Sequence, residues 1–224
     1  ETYQVTGKEE FASYANDLFQ YIDRDMTSKD GAFFSAEDAD SEGVEGKFYV
    51  WTQEEVKQVL GRKTASIAIP FYNISEDGNF EGNNILHVTK GPETIAKETG
   101  MKEVDILREL KTARDKLLEV RSQRIRPLLD DKVLTSWNAL MISAMAKTGR
   151  VLDDADRIQK STRAMTFVLS KLRTPEGKIL RRYREEEARY DGYLYDYTAT
   201  ATACLDLYEA TYEPHYIQTA HELM

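Results

Sequence analysis

Leu134-Thr-Ser-Trp-Asn-Ala-Leu-Met-Ile-Ser-Ala-Met-Ala-Lys147 is the stretch whose reading decides the fold. At helical spacing it carries two apolar stripes. One is Leu134, Trp137, Leu140, Met141, Ala144 and Met145; the other is Ala139, Ile142 and Ala146. A helix that is apolar nearly all round is buried on most sides. About 60 residues later, Leu194 to Tyr212 repeats this character in an Ala- and Thr-rich helix, with Tyr197 in the place of Trp137. Between the two, Asp154 to Leu172 has a single apolar face of Ile158, Met165, Val168, Leu169 and Leu172, with Arg157, Lys160 and Arg163 opposite. That pattern predicts a one-sided, outer helix. Gly149 is expected to end the first helix. Thr174-Pro-Glu-Gly177 turns the chain, and Ile179 to Tyr190 reads as a hairpin or extended excursion.

Inner helix, outer helix, excursion, inner helix is the rhythm of stacked helical hairpins. An α-solenoid and a closed α/α toroid both produce it. The long excursions favour the toroid, whose pocket is built from loops at one rim. The expected fold is therefore mainly α: stacked helical hairpins forming a partial (α/α)6 toroid with short β-hairpin excursions, a single domain over residues 1–224.

Upstream, Thr6 and Glu9 predict a capping box opening a helix through Phe11, Tyr14, Leu18 and Ile22. Lys47 to Trp51 alternates like a strand, and Asn84 to Val88 is also expected to be one. Thr52 and Glu55 predict a second capping box, with its helix stopping at Gly61. Glu103 to Arg121 reads as an amphipathic helix.

The net charge of −9 argues against a nucleic-acid partner, which needs clustered Lys and Arg; the Arg121 to Arg126 stretch and Arg181, Arg182 and Arg184 read as solvated faces. Cys204 is the only cysteine, which excludes an internal disulfide, a Cys-x-x-Cys pair and a cysteine zinc site, and fits a cytoplasmic location. No apolar run approaches the roughly 20 residues of a membrane span. Lacking an initiator Met and ending at Glu222-Leu-Met224 in a helical pattern, the chain reads as part of a longer protein.

Three segments carry candidate chemistry. Glu37, Asp38, Asp40 and Glu42 crowd four carboxylates into six positions. Asp38, Asp40, Glu42 and Gly43 match the start of a calcium loop, but Tyr49 stands where a bidentate Glu is required, so no metal is assigned. Capping of backbone donors is the alternative reading of this loop. Asp130, Asp131, Lys132, Trp137 and Asn138 place adjacent carboxylates, an ammonium, an indole and an amide around a helix N-terminus, where the dipole favours negative charge. Such a group suits sugar acid–base chemistry; core packing and capping are the alternative. Tyr193, Asp196 and Tyr197 precede the other inner helix in the same way, so stacked hairpins would put both clusters on one rim; a tyrosine-rich packing corner is the alternative. The candidate catalytic residues are Asp130, Asp131 and Asp196. The candidate substrate contacts are Glu37, Asp38, Asp40, Lys132, Trp137, Asn138, Tyr193 and Tyr197. No phosphate loop, dinucleotide fingerprint or nucleophile elbow occurs, and no cofactor is expected.

Gly31-Ala-Phe-Phe-Ser-Ala-Glu-Asp-Ala-Asp-Ser-Glu-Gly, Glu45-Gly-Lys-Phe-Tyr-Val-Trp, Gly82-Asn-Asn-Ile-Leu-His87, Asp130-Asp-Lys-Val-Leu-Thr-Ser-Trp-Asn138 and Gly192-Tyr-Leu-Tyr-Asp-Tyr197 occur in this order. Together they resemble the thioredoxin-domain-containing family that includes YyaL and the spermatogenesis-associated thioredoxin-like proteins. The resemblance implies an N-terminal thioredoxin-like domain outside this chain, followed by a six-hairpin, glycosidase-like α/α toroid of which this chain is the central part. It points by fold analogy to a carbohydrate-active or carbohydrate-binding role, of sugar epimerase, isomerase or glycosidase type. A non-catalytic scaffold partnering the thioredoxin-like domain is the alternative. The chain departs from the family pattern in lacking a His within Pro127-Leu-Leu129, in Ala139 where Gly is usual, and in Tyr195 where Glu is common.

Overall fold

The computed structural model describes all residues from Glu1 to Met224. In chain order the elements begin with α1 (Thr2–Thr6) and α2 (Glu9–Asp25), then the short strands β1 (Ala36–Glu37), β2 (Asp40–Ser41) and β3 (Val44–Glu45). Next come α3 (Gln53–Phe71), α4 (Pro92–Thr99) and α5 (Glu103–Ser122), then β4 (Leu129–Asp130) and β5 (Val133–Leu134). The chain continues through α6 (Thr135–Val151), α7 (Ala155–Lys171), β6 (Leu180–Arg184), β7 (Glu187–Asp191), α8 (Leu194–Thr211) and α9 (Pro214–Glu222). The mainly helical architecture with short β-hairpins is the one the patterning predicts. No helix is long and apolar enough to cross a membrane.

The chain forms two compact units. The first joins Glu1–Ala36 to Leu129–Met224; the second is the intervening Glu37–Leu128.

In the first unit α6 and α8 lie side by side and parallel. Ser136 meets Asp196 near their starts, Ser143 meets Asp206 in the middle, and Arg150 meets Glu209 near their ends. Small residues on α8 (Ala199, Thr200, Ala201, Ala203) permit the close approach and are buried. α7 returns between them as the outer helix, its Asp154 side chain capping the N–H of Arg157. Ile142, Met145, Met165, Val168, Leu172, Cys204 and Leu207 form a core with no solvent exposure. Complete burial of each large aliphatic chain contributes about 1.5–3 kcal/mol. Gly149 does not stop α6. It lies inside the helix where α7 comes closest: a Cβ there would sit 2.7 Å from Cγ1 of Ile158. Arg157 is buried, not outward as its place opposite the apolar stripe suggested. Its guanidinium lies 4.5 Å over the Phe19 ring and donates to Asn16, and Lys160 pairs with Asp23 at 2.7 Å, which joins α2 to α7. The chain start also differs from expectation. Thr6 closes α1 by donating to the Thr2 carbonyl, Gly7 turns left-handed, and α2 starts without a capping box.

An antiparallel sheet, β5-β6-β7, stands at the N-terminal ends of α6 and α8, with Val133 opposite Tyr183 and Arg182 opposite both Leu134 and Arg189. The expected hairpin is thus present. Its two-residue turn, Glu185-Glu186, has φ of 53° and 58°, the geometry usually given to Asn-Gly.

In the second unit Thr52 and Glu55 form the expected capping box of α3. Gly61 interrupts the helical geometry with φ 71°, but the helix resumes to Phe71, so the stop is a kink. Lys47 to Trp51 is not a strand: the N–H groups of Tyr49 and Val50 both return to the Gly46 carbonyl. Residues 84–88 are not a strand either. Only Asn84 bridges to Trp51, and its buried side-chain amide donates to the carbonyls of Trp51 and Ser75. Arg124 fastens the same region, stacking 4.0 Å over Trp51 and donating to the carbonyls of Phe48 and Val50. α3 and α5 are joined by Glu109, which takes the Lys63 ammonium at 2.5 Å and the Thr64 hydroxyl at 2.8 Å.

Candidate functional site

The site is assembled at the ends of α6 and α8 where the β5-β6-β7 sheet meets them. Asp196 organises it. Its side chain is fully buried and accepts the main-chain N–H of Ser136 at 3.2 Å and of Tyr193 at 2.9 Å, while Arg181 approaches at 3.4 Å. One carboxylate thus serves donors at the first turns of two adjacent helices, which the dipole of each favours. With both oxygens engaged and no exposure, Asp196 shapes the rim from within.

Asn138 is equally buried. Its oxygen accepts the N–H of Phe33 at 2.8 Å, and its nitrogen donates to the carbonyls of Phe33 and Leu134 at 2.9 and 3.0 Å. The Ser35 hydroxyl and N–H donate to the Asp130 carbonyl. Together they pin the end of the first chain segment to the loop that begins the second. Tyr197 is half-buried against the core and its hydroxyl accepts the N–H of Ile179. These three residues hold the frame.

Asp130, Asp131, Lys132, Trp137 and Tyr193 face solvent in whole or part. Asp130 pairs with Lys132 at 3.0 Å and Asp131 with Arg184 at 2.6 Å. Partial burial opposes ionisation of Asp130, but the Lys132 ammonium and the Ser35 hydroxyl outweigh it and hold the carboxyl below its usual range. Asp130 is therefore an anion at neutral pH, suited to accepting hydrogen bonds from hydroxyls and not to donating a proton. Trp137 is 54% exposed and Tyr193 65% exposed, the latter with the Arg181 guanidinium 4.7 Å from its ring centre.

Glu37, Asp38 and Asp40 belong to the second unit. Glu37 takes Arg126 at 2.6 Å and the Tyr49 hydroxyl at 2.6 Å, and Asp38 accepts the N–H of Asp40. Glu42 pairs with Lys47 at 2.8 Å. The carboxylates of Glu37, Asp38 and Glu42 are thus bound to cations, a hydroxyl and backbone, and no group of three or more His, Cys, Asp or Glu side chains is arranged to hold a metal ion.

The sequence reading set Arg181, Arg182 and Arg184 aside as a solvated face. The structure puts all three on the central strand of the rim sheet. The available signal was their place in the hairpin immediately before Tyr193 and Asp196.

No family model matches the chain. Along its whole length it is 31% identical to spermatogenesis-associated protein 20 of Mus musculus and 30% identical to that of Homo sapiens. It spans about a third of those relatives, 32% and 33% of their lengths. Among solved structures, cellobiose 2-epimerase from Bacillus thermoamylovorans B4167 superposes with a TM-score of 0.40 at 11% identity, over 96% of this chain and 55% of that one.

Proposed function

We propose, for a chain homologous throughout to spermatogenesis-associated protein 20, that the first unit is an arc of an α/α toroid whose rim binds a sugar. In this reading Asp130 and Asp131 serve proton transfer of the epimerase, isomerase or glycosidase kind. The observation that supports this reading is the joining of two parallel helix starts through buried Asp196, which leaves Trp137, Tyr193, Asp130 and Asp131 exposed at one end of the pair. Trp137 and Tyr193 supply stacking surfaces. Asp130, ionised and paired with Lys132, is the candidate base. Asp131, held by Arg184, supplies hydroxyl contacts or the second carboxyl.

The test is to incubate the chain with reducing sugars in heavy water and follow the C2 proton by NMR. Deuterium uptake that disappears in Asp130→Ala supports proton-transfer chemistry at this rim. Absence of both uptake and sugar line broadening contradicts it.

A second reading, a helical scaffold that presents a thioredoxin-like domain, is favoured by a different observation. Tyr14 and Leu18 on α2, Leu205 on α8 and Tyr212 just after it are large apolar residues left exposed. A scaffold predicts that no sugar binds and that Leu18→Lys abolishes association with that domain.

A further inference from the structure

We infer that the ligand of this rim carries an oxyanion, a carboxylate or phosphate, and that Arg182 receives it; the inference rests on the rim being the sugar site proposed above. The other cations of the sheet and its entry each have a carboxylate: Lys132 has Asp130, Arg181 has Asp196, Arg184 has Asp131 and Arg189 has Glu187. Arg182 has none. Its Nε is buried without a hydrogen-bond acceptor, as is the Nε of Arg184, but Arg184 has the Asp131 carboxylate beside it and Arg182 has no carboxylate to compensate. Glu187, whose carboxyl senses the Arg182 charge, is bound at 2.5 Å to Arg189.

Two further features separate Arg182 from an ordinary surface arginine. It stands directly across the strand pair from Arg189, and like charges in that position oppose sheet pairing. Its guanidinium lies 5.3 Å from the ring centre of Tyr190, a residue held at φ 65°. An aromatic side chain in the left-handed region is a steric outlier, and such strain concentrates where a binding site uses it. A half-buried guanidinium stacked on an aromatic face presents its remaining N–H groups as a fork, the geometry that recognises carboxylate and phosphate. Its register partner on the other side is Leu134, the residue before α6 and three before Trp137. Anion and stacking surface therefore belong to the same end of the helices, which fits an acidic sugar, either a uronate or a sugar phosphate.

The experiment is saturation-transfer NMR on the full chain at low ionic strength, with glucose, glucuronate, glucose 6-phosphate and inorganic phosphate as probes. One of the two acidic sugars is expected to bind at least about tenfold more tightly than glucose, the range of a charge-assisted hydrogen bond. Which one it is identifies the oxyanion. Arg182→Gln is expected to remove that preference, with Arg182→Lys retaining part of it, while Trp137→Ala weakens every sugar alike. Thermal melts verify that the variants fold; should Arg182→Gln not fold, Arg182→Lys carries the comparison. An acid preference that survives substitution of Arg182, or glucose bound as tightly as both acidic sugars, overturns the inference and leaves the sugar reading standing. Phosphate bound through Arg182 with no sugar bound keeps the anion site and overturns the sugar reading. Failure of all four probes overturns both.

Discussion

The main-chain N–H of Ser136 donates to the side chain of Asp196, 60 residues later in the chain, across 3.2 Å. That bond sets the two inner helices in register at their starts, and Tyr193 uses the second oxygen of the same carboxylate. Asp196→Ala leaves the buried Ser136 N–H without an acceptor, a loss of about 1–3 kcal/mol, and also removes the part-buried bond from Tyr193. Asp196→Asn retains one acceptor oxygen. Urea denaturation is expected to rank the proteins wild type, Asn variant, Ala variant; equal midpoints for all three would show that Asp196 does not brace the rim.

Asn138→Ala removes three hydrogen bonds at once, two of them to Phe33. The loss should be of similar size, about 1–3 kcal/mol for each orphaned group. Amide exchange distinguishes this mechanism from a general destabilisation. The Phe33 N–H should exchange faster under conditions in which the α8 core amides remain protected.

Burial pushes the Cys204 thiol up to about 12. The unfolded thiol titrates near 8.5. The folded value is raised, so this group's stabilisation is fully present below about 8.5 and is lost progressively as pH rises towards 12. Native protein at pH 8 is expected to resist an aromatic disulfide reagent, and denatured protein to react with one equivalent. Rapid native reaction would place Cys204 at the surface.

The carboxyl of Glu109 is held below its usual value by the hydrogen bonds of Lys63 and Thr64, against the opposing effect of burial. Its folded value is depressed, so the contribution is present above the ordinary glutamate range and is lost as pH falls through the folded value. Glu109→Gln should therefore lower the melting temperature at pH 7, with the gap to wild type closing on acidification. A gap independent of pH would contradict this ionic role.

The helical repeat was legible because burial on both sides of Ala139 and Ala203 imposes a helix-period pattern on the sequence itself. The 60-residue offset between Ser136 and Asp196 follows from it. The roles of the site residues were less legible. An Asp before a helix reads as a candidate acid, and nothing local shows that its oxygens are taken by an N–H that far away. Arg157 was misread because periodicity assigns a charged residue to water, whereas Phe19 and Asn16 on a distant segment accommodate it. The alternation of Lys47 to Trp51 mimicked a strand, but left-handed Gly46 folds it into a turn. Periodicity alone did not separate buried from exposed positions on α6: it put Trp137 in an apolar stripe, yet Ala139 is buried and Trp137 is in solvent.

That exposure gives the most direct measurement. The chain has two tryptophans, Trp51 at 2% exposure beneath Arg124 and Trp137 at 54% on the rim. Indole fluorescence titrated with neutral and acidic sugars should show a saturable change that disappears in Trp137→Phe and is weakened in Asp131→Ala, with the melting temperatures of both variants close to wild type. An unchanged emission across all sugars, or a change that persists in Trp137→Phe, would contradict a sugar site at the joined starts of α6 and α8.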